Sequence, residues 1–365
     1  MAAVVHHYFP LGSDNVGDAL VARALRHEFV RHFGPCEFVD MPANDRYRGT
    51  DRPAGLVGAN VARSNAEADW VLVGGSNMLE PRKPRRDAGP DEPHWGVFTD
   101  VESLRALRVP LISAGMGSGS GFGKAVRPYH PRAAEEIRTF FARATAASVR
   151  DVTTVEALAR IGVRTECTAC PVTFLTDRPV TPQTGSRPLL VSFPPSRIVK
   201  RFFGRRFMAG AMQYVRRLER RGVPVVVTLH EARDREITRD WIPAGTEVFY
   251  TDRLDELIER FDDSCGVVGF RLHAALLGLG LGKPVIPVGV DWRGLGFIRT
   301  FGIDDLSIRP LRFGQFAKLD RLTERLLAGD AELCDRLTAG KRAYYERYQA
   351  FFRRAAATET TRRAA

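Results

Sequence analysis

The residues best placed to do chemistry lie in the run Gly266-Val267-Val268-Gly269-Phe270-Arg271-Leu272-His273-Ala274-Ala275-Leu276-Leu277-Gly278, followed by Lys283-Pro284-Val285-Ile286-Pro287-Val288. An apolar strand feeds into Arg271 and His273, a helix of small and aliphatic residues starts there, and another strand follows the Lys-Pro pair. At a strand-to-helix turn, free backbone N–H groups and the helix dipole favour an anion, so a phosphate or carboxylate is the expected guest. An imidazole beside a guanidinium there also supplies a group that exchanges protons near neutral pH.

Polar, glycine-rich loops follow other apolar strands: Gly12-Ser13-Asp14-Asn15-Val16-Gly17-Asp18, Gly74-Gly75-Ser76-Asn77 and Gly115-Met116-Gly117-Ser118-Gly119-Ser120-Gly121. Turn and cap geometry explains each singly, but glycine after successive strands keeps backbone open at one end of a sheet. None is a Walker A loop or a dinucleotide fingerprint, since no Gly-Lys-Ser/Thr closes a loop and no spaced glycine triplet opens a helix. Asp18 and Asp14 are candidates to bind a hydroxyl or act as general base, with N-capping as the competing role. His230 ends the strand Pro224 to Leu229 and precedes Glu231, Arg233 and Asp234, so it either enters the cleft or starts a solvated helix. His6 and His7 alternate on a strand, so at most one approaches a site. Cys167-Thr168-Ala169-Cys170 has redox or zinc spacing without a second ligand pair, and buried structural thiols are expected rather than a metal.

The elements that must position these residues alternate between apolar strands and amphipathic helices, the pattern of open α/β sheets. Ala3 to Tyr8, Trp70 to Val73, Pro110 to Ala114 and Ala146 to Val149 read as strands of a first half, with helices at Ala19 to His32 and Arg132 to Ala142. Asp177 to Arg187, rich in Pro, Thr and Gly, reads as a linker. Pro188 to Phe193, a helix over Met208 to Arg221, Pro224 to Leu229 and a helix over Leu254 to Phe261 build a second half. The expected fold is two Rossmann-like α/β domains, residues 1–178 and 188–352, with the active cleft between them and a disordered tail over 353–365.

With 365 residues and 44% hydrophobic content the chain can bury a core in each half, and its cysteines form no disulfide framework. No apolar leader or membrane-length run is seen, so a cytoplasmic protein is expected. Lys+Arg 54 against Asp+Glu 43 gives a net charge of +11, which suits a polyanionic partner of some kind. Arg82-Lys83-Pro84-Arg85-Arg86, Arg216-Arg217 with Arg220-Arg221, and Arg353-Arg354 read as solvated faces. Lys200 to Phe207 differs, because Phe202, Phe203 and Phe207 interleave with its basic residues, as in a segment pressed on an anionic membrane surface. No nucleic-acid motif accompanies the charge, and no nucleic-acid partner is expected.

Asn15-Val16-Gly17-Asp18, Gly74-Gly75, Ser148-Val149-Arg150-Asp151 with its following helix, and Arg271-Leu272-His273 with the later Gly-Lys-Pro-Val-Ile-Pro-Val resemble the polysaccharide pyruvyl transferase family. The resemblance spans Ala3 to Ile303, and the Ser-x-Arg-Asp and Arg-Leu-His motifs are its most specific part. It implies a fold like that of GT-B glycosyltransferases and transfer of a pyruvyl group from phosphoenolpyruvate, a co-substrate rather than a cofactor, to hydroxyls of a sugar, glycan or lipid-linked saccharide. It also implies that Arg150 and the Arg271-Leu272-His273 turn hold the donor. His273 is then the expected proton donor and Asp18 a second catalytic candidate, with Asn15, Gly74, Gly75, His230 and Arg293 around the substrates. The chain departs from the family in having Cys170-Pro171 where Asp-Pro is frequent, and Asp291-Trp292-Arg293 where a Lys is usual. Planar guanidinium groups suit both anions of phosphoenolpyruvate. Competing readings are a nucleotide-sugar glycosyltransferase, against which Ala274 to Val290 holds no Asp or Glu, and a non-catalytic protein that binds anionic glycan or lipid.

Overall fold

The computed structural model describes residues 2–12, 15–43, 54–79, 95, 97, 99–119, 128–183, 186–193, 204–232, 234–235, 241–309 and 314–364. Two all-parallel sheets organise them. The first runs β2-β1-β3-β4-β5-β6, built from β1 (Ala3–Phe9), β2 (Cys36–Pro42), β3 (Trp70–Gly74), β4 (Leu111–Met116), β5 (Ala146–Val149) and β6 (Glu166–Cys167). The second runs β11-β10-β7-β8-β9, built from β7 (Leu189–Ser192), β8 (Val225–Thr228), β9 (Glu247–Phe249), β10 (Gly266–Gly269) and β11 (Val285–Pro287). Central strands such as β3 and β8 are buried on both faces, which is why they read as unbroken apolar runs. The edge strands β2 and β9 are partly exposed and give no such run.

Helices α1 (Val16–Phe33), α2 (Gly58–Glu67), α3 (Val101–Ala106), α4 (Pro131–Arg143) and α5 (Val152–Ala159) accompany the first sheet. The second carries α6 (Gly204–Arg220), α7 (Leu254–Asp262), α8 (Leu272–Gly280), α9 (Trp292–Phe301) and α10 (Gln315–Leu327), and α11 (Ala331–Ala364) closes the chain. This is the expected two-sheet α/β architecture.

The halves are joined by more than the linker. One apolar core runs from Leu25 and Phe29 of α1 through Val172 and Phe174 to Leu190, Val268 and Leu277. Val172 and Phe174 sit in a 3-10 turn, Pro171–Phe174, packed between α1 and α8. The contact is close enough to demand glycine: a Cβ on Gly280 would stand 2.1 Å from the Val172 carbonyl oxygen.

The tail expected to be disordered is helical through Ala364, as the end of α11, which is 34 residues long. The helix starts against α9 and the 3-10 turn, then crosses to α1 and β5. On the way Lys341 donates to the carbonyls of Arg178 (2.8 Å) and Gly280 (3.2 Å), its amine pushed down to about 8 by burial. Further along, Gln349 donates to Glu28 (2.6 Å), which also bonds His32 (2.9 Å), and Phe352 stacks on the His32 ring. Arg354 pairs with Glu166 and Ala355 is buried, so apolar burial continues past Phe352. Periodicity failed here because Arg353-Arg354 and the Thr/Arg run look like a solvated end.

Lys200, Arg201, Phe202 and Phe203 lie outside the described residues, as do Arg82 to Arg86. Phe207 is buried against Phe270 and Phe316 in the core that the two halves share, so it packs inside the protein rather than facing a membrane. Among the described residues no helix is long and apolar enough to cross a membrane.

Because Ala355 is buried inside the helical end, Ala355→Asp places an unpaired carboxylate there and is expected to lower stability by about 3 kcal/mol. Urea denaturation of the variant checks this; an unchanged midpoint would mean that the final turns of α11 contribute no packing.

Candidate active site

The turn that begins α8 is pinned before any ligand arrives. The Arg271 backbone N–H donates to Ser192 Oγ at the end of β7 (2.9 Å), which holds the first turn of α8 over the carboxyl ends of β7 and β10. Its guanidinium is buried and held by two carboxylates: Nη1 donates to Glu231 Oε1 (2.8 Å) and Nη2 to Asp234. These use part of its donor capacity; Nε is buried with no partner among the described residues. Glu231 and Asp234 are therefore not the exposed start of a solvated helix. Burial holds the Asp234 carboxyl above its usual range even with Arg271 beside it.

The first half supplies the opposite wall. Asp151 caps α5 by accepting from the Thr154 N–H (2.7 Å), and Arg150, one residue earlier, reaches Asn77 Oδ1 through Nη2 (3.1 Å) and Asp151 through Nε (3.4 Å). The guanidinium lies directly on Gly117, where a Cβ would be 2.2 Å from Nε. Asn15 caps α1 by accepting from Gly17 N–H (3.0 Å). Gly17 then meets the second half: a Cβ there would stand 1.8 Å from His273 Nδ1, so the first turn of α1 is pressed onto the imidazole. On α9, Asp291 accepts from the N–H groups of Arg293 (2.9 Å) and Gly294 (3.1 Å), while its other oxygen takes Arg293 Nε (2.8 Å).

These residues converge. A small pocket of about 20 Å³ is lined by Asn15 from the first half and by His230, Arg271, His273, Asp291 and Arg293 from the second, with Leu272 in its wall. Arg150 is not part of that lining but acts on His273 electrostatically. His273 differs from expectation in one respect. Burial first, then the charges of Arg150, Arg293 and Arg271 and the neighbouring His230, hold its pKa well below the ordinary histidine value. In the free protein it is a neutral imidazole, with Nε2 buried and unpartnered among the described residues. His230 is pushed down to about 3 by burial and by Arg271, with Glu231 pulling weakly the other way.

Other candidates are placed elsewhere. Gly74 and Gly75 are required by packing: a Cβ on Gly74 would meet Leu25 and the Ala114 carbonyl within 2.5 Å, and Gly75 has φ +88°. Asp18 is buried in the first turn of α1 and its charge reaches the Cys170 thiol, but it does not line the pocket. Asp14 lies outside the described residues. His6 bonds Ser64 (2.9 Å) and His7 accepts from Arg26 Nε (3.0 Å), both within the first half. Burial pushes the thiols of Cys167 and Cys170 up to about 12 and about 11, and no metal-holding cluster occurs among the described residues. What sequence reasoning missed was the service that Glu231 and Asp234 give Arg271, although both stand in the loop that it had singled out.

A family model described as polysaccharide pyruvyl transferase matches residues 15–291. Among curated proteins none matches by sequence. Similar solved structures include a putative UDP-N-acetylglucosamine 2-epimerase from Listeria monocytogenes (TM-score 0.54, 14% identity, covering 93% of this chain and 91% of that one). The UDP-GlcNAc 2-epimerase of Neisseria meningitidis bound to UDP-GlcNAc (0.53, 10%, 95% and 99%) and that of Methanocaldococcus jannaschii (0.51, 9%, 94% and 98%) are also similar. At these identities the likeness is one of fold, the two-domain GT-B type.

His7, His230 and His273 are all held neutral in the folded protein, whereas in the unfolded chain they titrate near 6.5. The unfolded state thus binds more protons in acid, so their contribution to stability is full above about pH 7 and lost as pH falls below 6.5. At pH 5.5 each costs about 1.4 kcal/mol, or about 4 kcal/mol together. Urea unfolding at pH 7.5 and 5.5 should show that loss, and replacing His7 with Asn should remove about a third of it.

Proposed function

The chain belongs to the polysaccharide pyruvyl transferase family, and on that premise we propose that it transfers the three-carbon unit of phosphoenolpyruvate to two hydroxyls of a sugar or glycan, forming a pyruvate ketal and releasing phosphate. The observation that carries this reading is the convergence of Arg150, Arg271 and Arg293 on His273 at the N-terminal turn of α8.

Phosphoenolpyruvate presents a carboxylate and a phosphate. Arg150 comes from the first half and Arg271 and Arg293 from the second, so each anion meets a planar donor, and the first N–H groups of α8 add to them. Glu231 and Asp234 fix the direction of Arg271 and leave Nε and its remaining N–H groups for the donor. Arg293 takes the place of the family's Lys, held by Asp291 at the head of α9.

His273 supplies the proton that the methylene carbon needs. It is neutral in the free protein, and the charge of the bound donor is what raises its pKa toward the protonated form. Protonation at carbon makes the central carbon electrophilic, one hydroxyl adds, and a second displaces phosphate. One hydroxyl proton is thereby exchanged for the new C–H proton, and the other leaves with phosphate. The close approach of Gly17 fixes the imidazole ring against α1 on its Nδ1 side, and Nε2 is buried with no partner among the described residues.

Purified protein incubated with phosphoenolpyruvate and a panel of sugar acceptors should release phosphate and yield a product of the corresponding mass, while nucleotide sugars leave the acceptors unchanged. No release and no donor binding by calorimetry would sink the reading. Arg150→Ala should weaken donor binding by about 2 to 3 kcal/mol. His273→Gln should keep most of that binding yet lower turnover roughly 100-fold or more. Gly17→Ala, which forces the ring to move, should lower turnover at least about tenfold while leaving the fold intact by circular dichroism, since only the local contact changes.

A further inference from the structure

His230 stands at the end of β8 as a buried imidazole with neither ring nitrogen bonded among the described residues. That is unusual, because buried polar side-chain atoms almost always find partners and an unpaired one calls for a cause. Its surroundings fix it without satisfying it. The backbone N–H of His230 bonds the Asp234 carboxylate, the same group that holds Arg271, and its ring stands 6.2 Å from that of Phe261. The side chain lines the same pocket as His273, close enough that each histidine feels the charge of its surroundings through Arg271.

Resting on the pyruvyl-transfer reading, we propose that His230 is a second catalytic residue, the base that takes the proton of the first attacking acceptor hydroxyl and returns it to the departing phosphate. The proton count leaves one hydroxyl proton to be carried to phosphate. One C–H bond forms and two O–H bonds break. The π pair of the enol captures the proton from His273, a hydroxyl lone pair forms the first C–O bond, and a second lone pair forms the other as the C–O bond to phosphorus-bearing oxygen breaks and its pair leaves with phosphate. The two hydroxyls lose their protons in different steps. His273, having given its proton to carbon, recovers one from the second hydroxyl. His230 accepts the first and passes it to phosphate, so both imidazoles finish as they began. Burial and the positive charge of Arg271 keep His230 unprotonated in the free protein, which leaves its ring open to accept a proton, and the negative charge of the bound donor raises its basicity.

The groups facing His230 are Arg271 and His273 on α8, Glu231 and Asp234 in its own loop, and Phe261 on α7. Of these, Arg271 through Nε and His273 through Nε2 also line the pocket with a buried nitrogen that has no partner among the described residues.

The test compares His230→Gln and His230→Ala with wild type by steady-state kinetics and by calorimetry with phosphoenolpyruvate alone. Expected is donor affinity within about threefold of wild type, kcat lowered about 100-fold or more, and partial recovery of His230→Ala by added imidazole that grows as imidazole loses its proton. Turnover within about threefold of wild type in both variants overturns the role. So does a turnover loss that imidazole fails to restore, whatever the donor affinity, which would give His230 a structural part only. Wild-type protein that releases no phosphate from phosphoenolpyruvate removes the pyruvyl-transfer reading and this role with it, and that result appears before any variant is made.

Discussion

A guanidinium group withdrawn from water must carry its counter-charge with it. Around His273 each arginine does so: Arg150 keeps Asp151, Arg271 keeps Glu231 and Asp234, and Arg293 keeps Asp291. The rest of the site follows from this pairing. The carboxylates double as structural groups, Asp151 and Asp291 capping α5 and α9, so the same oxygens that aim the cations also start the helices that carry them. Even with the pairs in place, burial and the charges of these arginines keep the two histidines neutral in the free protein.

That arrangement needs both halves to be close. Gly17 against His273 and Gly119 against Trp292 are contacts that a single methyl group would break. Gly296 of α9 meets the first half in the same way, since a methyl group there would stand 2.9 Å from the carboxyl carbon of Asp151 and from Thr153 Oγ1. Glycine along this seam thus serves approach between the halves rather than turns within them, which is a different use from that of Gly75 with its left-handed backbone.

Much of this was legible beforehand. Strands with unbroken apolar runs, such as Trp70 to Val73 and Gly266 to Gly269, emerged where composition placed them, because a parallel sheet covered on both faces leaves no polar alternation. Arg150 lies near enough to act on His273 electrostatically, while the Arg271-Leu272-His273 turn itself lines the pocket. What stayed hidden depends on partners distant in sequence. The edge strand Glu247–Phe249 is short and half exposed, so nothing in its own residues marks it. Ionisation of His273 is set by burial and by cations from three separate segments, which no local pattern contains. Gly74 and Gly75 carried a motif signal but answer to Leu25, Ala114 and Val21, so a glycine pair after a strand did not distinguish packing from ligand contact.

The crossing of α11 has a bearing on how the protein is made. The first sheet is complete once the residues through Cys167 have emerged, but the covering of α1 by Tyr345, Tyr348, Gln349 and Phe352 comes from α11, which follows the whole of the second sheet in the sequence. Until then Phe29, Phe33 and the neighbouring Phe174 lack their final cover, and the first half waits with part of its apolar surface open. The first half therefore completes its packing only after the second half has been made, instead of the two finishing one after the other in the order of the gene.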